Sequence, residues 1–258
     1  MTASQEVMPK VLAVFAHADD ETLLAGALIA RMVADGHEVR VLCLAPGDLD
    51  REQRLRKACD VLGVASVETL RFAEGVMWPD EAVDVREDDV VKKLAPVLTR
   101  VPIGEIAGRI RGRISEFGAD AVITHSPYGD YGHADHAIVH RATVMAVEGG
   151  GKPGVRLYAL DWPRWLVRIN AQMMRLGGRD IRHMGSGGRF NLSLAIQLSV
   201  KSNVTIDVAS RLGVRRAASS WYSKEIAEGP LPMRMLERLP LWIQRVFLGR
   251  ARLILLSA

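Results

Sequence analysis

The sequence predicts an α/β fold: a mostly parallel, Rossmann-like sheet flanked by helices, with a C-terminal extension. Short uninterrupted apolar runs, such as residues 11–16 and 121–124, suit strands buried on both faces. Segments with apolar residues at helical spacing follow such runs. Strand, loop and helix then repeat in that order across residues 11–62, the pattern that builds a parallel sheet. With 258 residues, 48% of them hydrophobic, the chain can bury one substantial core.

Taken in order, residues 11–16 form the first strand. Residues 21–34 form a helix through Leu24, Ala27, Leu28, Ala30 and Met32, stopping before Gly36. Residues 37–44 and 51–62 repeat the strand and helix. A third strand is expected over 68–72, and 88–117 reads as mostly helical with an interruption near Pro102 and Gly104. The turn Gly118-Ala119-Asp120 precedes a strand over 121–124, and the polar, glycine-rich loop 126–132 leads into a helix from near His133 to about Val147. After Gly149-Gly150-Gly151 the composition turns basic, with a strand over 155–160. We therefore expect a metal-binding catalytic core over 1–150 and an extension over 151–258 that completes the sheet and substrate pocket within the same domain. Residues 231–256 mix Met, Leu, Trp, Ile and Phe with Arg, at spacings compatible with a basic amphipathic helix or pair of helices. Such a face can pack on the protein's own core, lie on a membrane surface or close over a lipidated or aromatic substrate.

The formal charge of +4 hides an asymmetry: residues 151–258 carry 18 Lys or Arg against 6 Asp or Glu, and the remainder is net negative. The basic half suits an anionic substrate, a nucleotide-linked sugar or peripheral membrane contact. Solvated surface arginines are the plainer account. No nucleic-acid partner is expected. Residues 1–10 lack the pattern of a secretory signal, and no apolar run approaches the roughly 20 residues that span a bilayer, so the expected location is cytoplasmic. Cys43 and Cys59 have no paired spacing and read as buried thiols.

Two segments place metal-ligand side chains directly after expected strands, where parallel sheets gather their sites. They are Ala16-His17-Ala18-Asp19-Asp20-Glu21 and Tyr131-Gly132-His133-Ala134-Asp135-His136. Each holds its candidate ligands three residues apart, so both can aim at one point. A catalytic zinc site takes three such ligands and keeps a position for water, and His17, Asp20 and His136 would supply them. Asp19 and His133 are then left for hydrolysis: a carboxylate to accept a proton, and an imidazolium to stabilise an oxyanion and protonate a leaving amine. Taken singly, each segment has an ordinary reading, an acidic helix start in one case and surface histidines in the other. Their pairing at two strand ends points to a site. His125 either supports that site or is a satisfied structural imidazole.

The two segments resemble the signatures of the LmbE or PIG-L family of zinc-dependent N-acetylglucosaminyl deacetylases, usually AHPDDE and GHPDH. The resemblance runs from about Pro9 to Val147. It implies Zn2+ held by His17, Asp20 and His136, with Asp19 as general base and His133 as electrostatic and acid catalyst. It also implies that Asp135 orients or tunes the His133 ring, that Tyr131 approaches the acyl carbonyl, and that Arg51 contacts substrate. Several positions depart from the pattern. Ala18 and Ala134 replace the motif prolines without removing a ligand. Arg54 stands where the family has a glutamate, and Glu74, an expected substrate contact, where it often has an aspartate. Ser220-Trp221-Tyr222-Ser223-Lys224 replaces an AHxSQ-like segment, which puts a C-terminal contribution to the site in doubt. The expected activity is removal of an N-acetyl or other N-acyl group from an amino-sugar conjugate, whether nucleotide-linked, natural-product or lipid-linked. The alternative is a non-catalytic glycan or glycolipid binding protein with a structural metal.

Overall fold

The computed structural model describes residues 9–75, 95–150, 152–228 and 231–257. Strand β1 (Lys10–His17) is followed by a single helical turn α1 (Asp20–Leu23), helix α2 (Gly26–Ala34), β2 (Glu38–Ala45), α3 (Leu49–Leu62) and β3 (Ser66–Thr69). After a 3-10 turn at Leu98–Arg100 come α4 (Ile103–Phe117), β4 (Ala121–Thr124), α5 (Ala134–Glu148) and β5 (Arg156–Leu160). The chain continues through α6 (Arg164–Leu176), α7 (Leu192–Leu198), β6 (Val204–Asp207), α8 (Leu212–Ser219), α9 (Ser223–Glu228), α10 (Leu231–Arg238), α11 (Leu241–Leu248) and β7 (Arg250–Ser257).

Among the described residues these strands form one sheet of order β3-β2-β1-β4-β5-β7-β6. Strands β1 to β5 run parallel, and β7 lies antiparallel between β5 and β6. Residues beyond 150 thus supply three of its strands. Side chains alternate across a strand, and β1 shows it: Val11, Ala13 and Phe15 join the core under α2, α3 and α8, while Leu12, Val14 and Ala16 join the one under α4 and α5. Both faces are covered, as the apolar run requires.

The chain order places the site. From β1 the chain winds outward through β2 to β3, then crosses back to β4 and winds the other way through β5. The reversal between β1 and β4 opens a crevice at the strand ends, and both motifs emerge there. Four readings need correction. The helix expected over 21–34 is split into α1 and α2 by a turn at Leu24-Ala25. The third strand lies at Ser66–Thr69 rather than 68–72. Helix α4 starts immediately after Pro102 and runs unbroken through Gly104; the earlier part of that reading, residues 88–94, lies outside the described residues. The segment 231–256 is two short helices and a strand, with β7 inserted into the sheet. No helix among the described residues is long and apolar enough to cross a membrane. Cys43 and Cys59 are buried and unbridged.

Candidate metal centre

His17 is the last residue of β1 and Asp20 the first of α1, and the His17 backbone N–H donates to Asp20 Oδ2 at 2.9 Å. His133 caps α5, and His136 sits in that helix's first turn. The fold brings His17, Asp20 and His136 together. His17 Nδ1 lies 3.1 Å from His136 Nε2 and 3.5 Å from Asp20 Oδ2, and the third edge, His136 Nε2 to Asp20 Oδ2, is 3.3 Å. All three side chains are buried.

Bonds of about 2.0–2.1 Å in a tetrahedron set neighbouring donors about 3.3–3.4 Å apart. The edges of the triangle match, and two imidazoles with one carboxylate are a donor set suited to zinc, so these residues fit the ion. Other donors lie close. His133 offers a nitrogen within 4.8 Å of those of His17 and His136, and His125 groups in the same way with Asp20 and His136. His125 Nε2, however, accepts the Ala16 N–H at 2.8 Å, leaving Nδ1–H to donate to Asp130 at 2.5 Å. With its lone pair used, His125 supports the site and does not ligate.

Buried carboxylates orient the ligand histidines, as such rings require. Asp135 Oδ2 meets His17 Nε2 at 3.0 Å and accepts the Gly75 N–H. Asp130 Oδ2 meets His136 Nδ1 at 2.9 Å. Asp135, expected to orient or tune the His133 ring, places its carboxylate on His17, while its charge opposes the lowering of the His133 pKa and its backbone N–H reaches His133 Nδ1 at 3.2 Å. That contact leaves the His133 proton on Nε2. Burial, reinforced by His17 and His136, pushes the His133 pKa down to about 3. With Nδ1 accepting, His133 presents Nε2–H as its donor. Asp130 was missed in the sequence, where it reads as one more polar residue of a glycine-rich loop.

Asp19 occupies a left-handed backbone conformation with φ 124°, costly for a residue other than glycine. Its N–H donates to Glu21 Oε2 at 3.0 Å, and Glu21 Oε1 accepts the Tyr222 hydroxyl at 2.9 Å. Burial pushes the Asp19 carboxyl well above its usual range, opposed by Arg51 and reinforced by Asp20 and Glu21. Arg51 donates to Asp19 Oδ2 at 3.1 Å, to the Ala18 carbonyl at 3.0 Å and to Glu74 Oε2 at 2.9 Å. Gly47, with φ 85°, makes room for this side chain, since a Cβ there would stand 3.0 Å from Arg51 Cδ. Arg54 pairs with Glu225 from α9. The C-terminal segment thus reaches the site's supports through Tyr222 and Glu225. The Tyr131 ring lies 5.1 Å from that of His136, and Glu74 Oε1 is 3.8 Å from His17 Nε2.

Residues 12–147 match the family described as GlcNAc-PI de-N-acetylase, PIG-L. The chain belongs to the PIG-L family. It is 30% identical over 225 residues, 81% of this chain and 77% of the other, to the 1D-myo-inositol 2-acetamido-2-deoxy-alpha-D-glucopyranoside deacetylase of Mycolicibacterium gilvum. A deacetylase of the same name from Mycobacterium sp. (strain KMS) is 32% identical over 162 residues, 55% of this chain and 51% of the other; the chain spans about half the length of that relative. Among solved structures, a deacetylase of the teicoplanin biosynthesis pathway superposes with TM-score 0.59 at 20% identity, over 95% of this chain and 98% of that one. GalB, the 4-carboxy-2-hydroxymuconate hydratase of Pseudomonas putida KT2440, superposes with TM-score 0.51 at 17% identity, over 97% of both chains. These two structures share the fold, and by their names they carry different chemistries.

Proposed function

We propose that the chain is a zinc-dependent hydrolase that removes an N-acetyl group from an N-acetylglucosamine-type amino-sugar conjugate. One observation carries the reading: the buried triangle of His17, Asp20 and His136 has zinc-like edges and stands beside two groups, Asp19 and His133, that have no need to ligate. The names of the relatives supply the substrate class, an acetamido sugar joined to a small polar partner. The fold alone would not, since it is shared with a hydratase.

Bound by His17, Asp20 and His136, zinc would supply Lewis acidity toward the acyl carbonyl and make water more acidic. The protein's own residues do the rest. Asp19, raised in pKa by burial, accepts the proton of the attacking water. His133 donates through Nε2–H to the developing oxyanion, joined by the Tyr131 hydroxyl. The C–N bond then breaks as the amine takes up the proton that Asp19 received from the water, and acetate is the coproduct. Arg51, fixed by Asp19 and Glu74, presents a cation at the rim for the polar substituents of the sugar.

The test is acetate release by the purified protein, metal-stripped and then reloaded with zinc, against a panel of N-acetylglucosaminides that includes the inositol glycoside named for the relatives. Acetate and free amine should appear together, and only with metal. A metal-loaded protein that releases no acetate from any panel member, yet binds those sugars, would leave the non-catalytic glycan-binding reading in its place.

A further inference from the structure

Helix α6 already has its core-facing side: Val167 and Ala171 are buried against Tyr128, Met184, Leu192 and Ile196. It carries a second apolar stripe that faces water. Trp165, Ile169, Met173 and Leu176 are between 49 and 80% exposed, and their spacing confines them to an arc of about 80° at roughly 100° per residue. Arg164, Arg168 and Arg175 line one edge of that arc by the same count. Helix α7 lies beyond that arginine edge. Arg164 meets the Ser199 carbonyl and Arg175 the Ser193 hydroxyl at 3.5 Å, so α7 runs antiparallel beside α6. Leu194, Leu198 and Val200 add side chains 48 to 73% exposed.

An exposed apolar helix face bordered by polar groups marks a docking face, and the charge around it selects the occupant. Residues 164–182 hold five arginines against one acidic residue, Asp180. A second copy seated symmetrically would set this positive segment against itself. Exposed Trp and aliphatic side chains beside arginines are the composition of an interfacial helix on an anionic bilayer. We propose that the outer face of the α6–α7 hairpin docks on anionic phospholipid surfaces. The hairpin also touches the candidate site: Asn170 of α6 donates to the Tyr131 carbonyl at 2.9 Å. Docking would therefore hold the loop that carries the second motif near the lipid surface. The inference rests on the exposed face and its charge, not on the deacetylase reading.

The experiment is co-sedimentation of the full chain with vesicles of phosphatidylcholine alone or mixed with phosphatidylglycerol, across a salt series. We expect binding to the anionic vesicles that weakens with salt, and little to the neutral ones. Combining Trp165→Ser, Ile169→Ser and Met173→Ser should weaken anionic-vesicle binding by about tenfold or more with the unfolding midpoint kept. A wild-type chain that stays in the supernatant, equal binding to both vesicle types, or a triple variant that binds as well as wild type would overturn the proposal. Self-association at sedimentation equilibrium that the triple variant abolishes, without vesicle binding, would assign the face to a second copy instead.

Discussion

His17 and Asp20 are held from across the chain, whereas His133 and His136 are held by their own loop. The first corner contains the strained Asp19, whose N–H is fixed by Glu21, and Glu21 is fixed in turn by Tyr222, 201 residues further on. Arg51 ties Asp19 and the Ala18 carbonyl, and the neighbouring Arg54 takes Glu225. The second corner closes over a dozen residues. Asp130 accepts the Ser126 N–H, returns its own N–H to the Ser126 hydroxyl, and holds the rings of His125 and His136. The strain therefore sits where long-range contacts restrain it. The ligand turn needing least help is the one built locally.

The largest effects should come from removing what the corners share. His136→Ala and Asp20→Ala should each lose both bound metal and turnover, whereas Asp19→Asn should keep metal and lose about 10²–10⁴ in rate. Metal analysis beside acetate release separates the two classes. Full metal content in His136→Ala would dissolve the triangle. Next comes the local corner. Asp130→Asn leaves His136 and His125 without their shared carboxylate and should weaken metal binding by about 10–100-fold, read by chelator competition. An unchanged affinity would mean that the loop, not Asp130, sets the ring.

Legibility in sequence follows the same division. Strand β1 and both motifs could be read because each is contiguous: a buried apolar run, then ligand types within four residues. The supports could not. Tyr222 lay in a segment distinguished only by the family residues it lacks, and no local pattern shows that its hydroxyl ends on Glu21. His125 reads as a lone histidine until its ring meets Ala16 from the neighbouring strand's end. Strand β7 was hidden because Arg-Leu-Ile-Leu-Leu after a helix fits either period, and short apolar runs do not separate helix from strand. Strand β3 slipped because an edge strand with exposed Ser66 and Glu68 carries little apolar signal.

Smaller effects probe the distant corner. Tyr222→Phe removes one of two hydroxyls that Glu21 Oε1 accepts, the other being Thr22's at 2.6 Å. The loss should cost about 1–2 kcal/mol in denaturant unfolding and lower turnover while metal content stays. If stability and rate both match wild type, the first corner is not held from the C-terminal segment.

The finest test concerns Arg54, which faces Glu225 on α9. Both side chains are only partly exposed, so the pair is screened less than a surface bridge. Arg54→Glu alone puts two carboxylates together, and Glu225→Arg alone adds a third guanidinium beside Arg51 and Arg54. Each single variant should raise KM several-fold by disturbing Arg51, whose Nε lies 3.7 Å from Glu225, with a smaller change in kcat. The double reversal restores opposite charges across the gap but moves a guanidinium to the α9 side. It should recover about 1 kcal/mol of coupling in a double-mutant cycle and most of the KM. A double variant no better than the worse single one would show that Arg54 and Glu225 act on Arg51 separately, and that α9 adds charge to the first corner without positioning it.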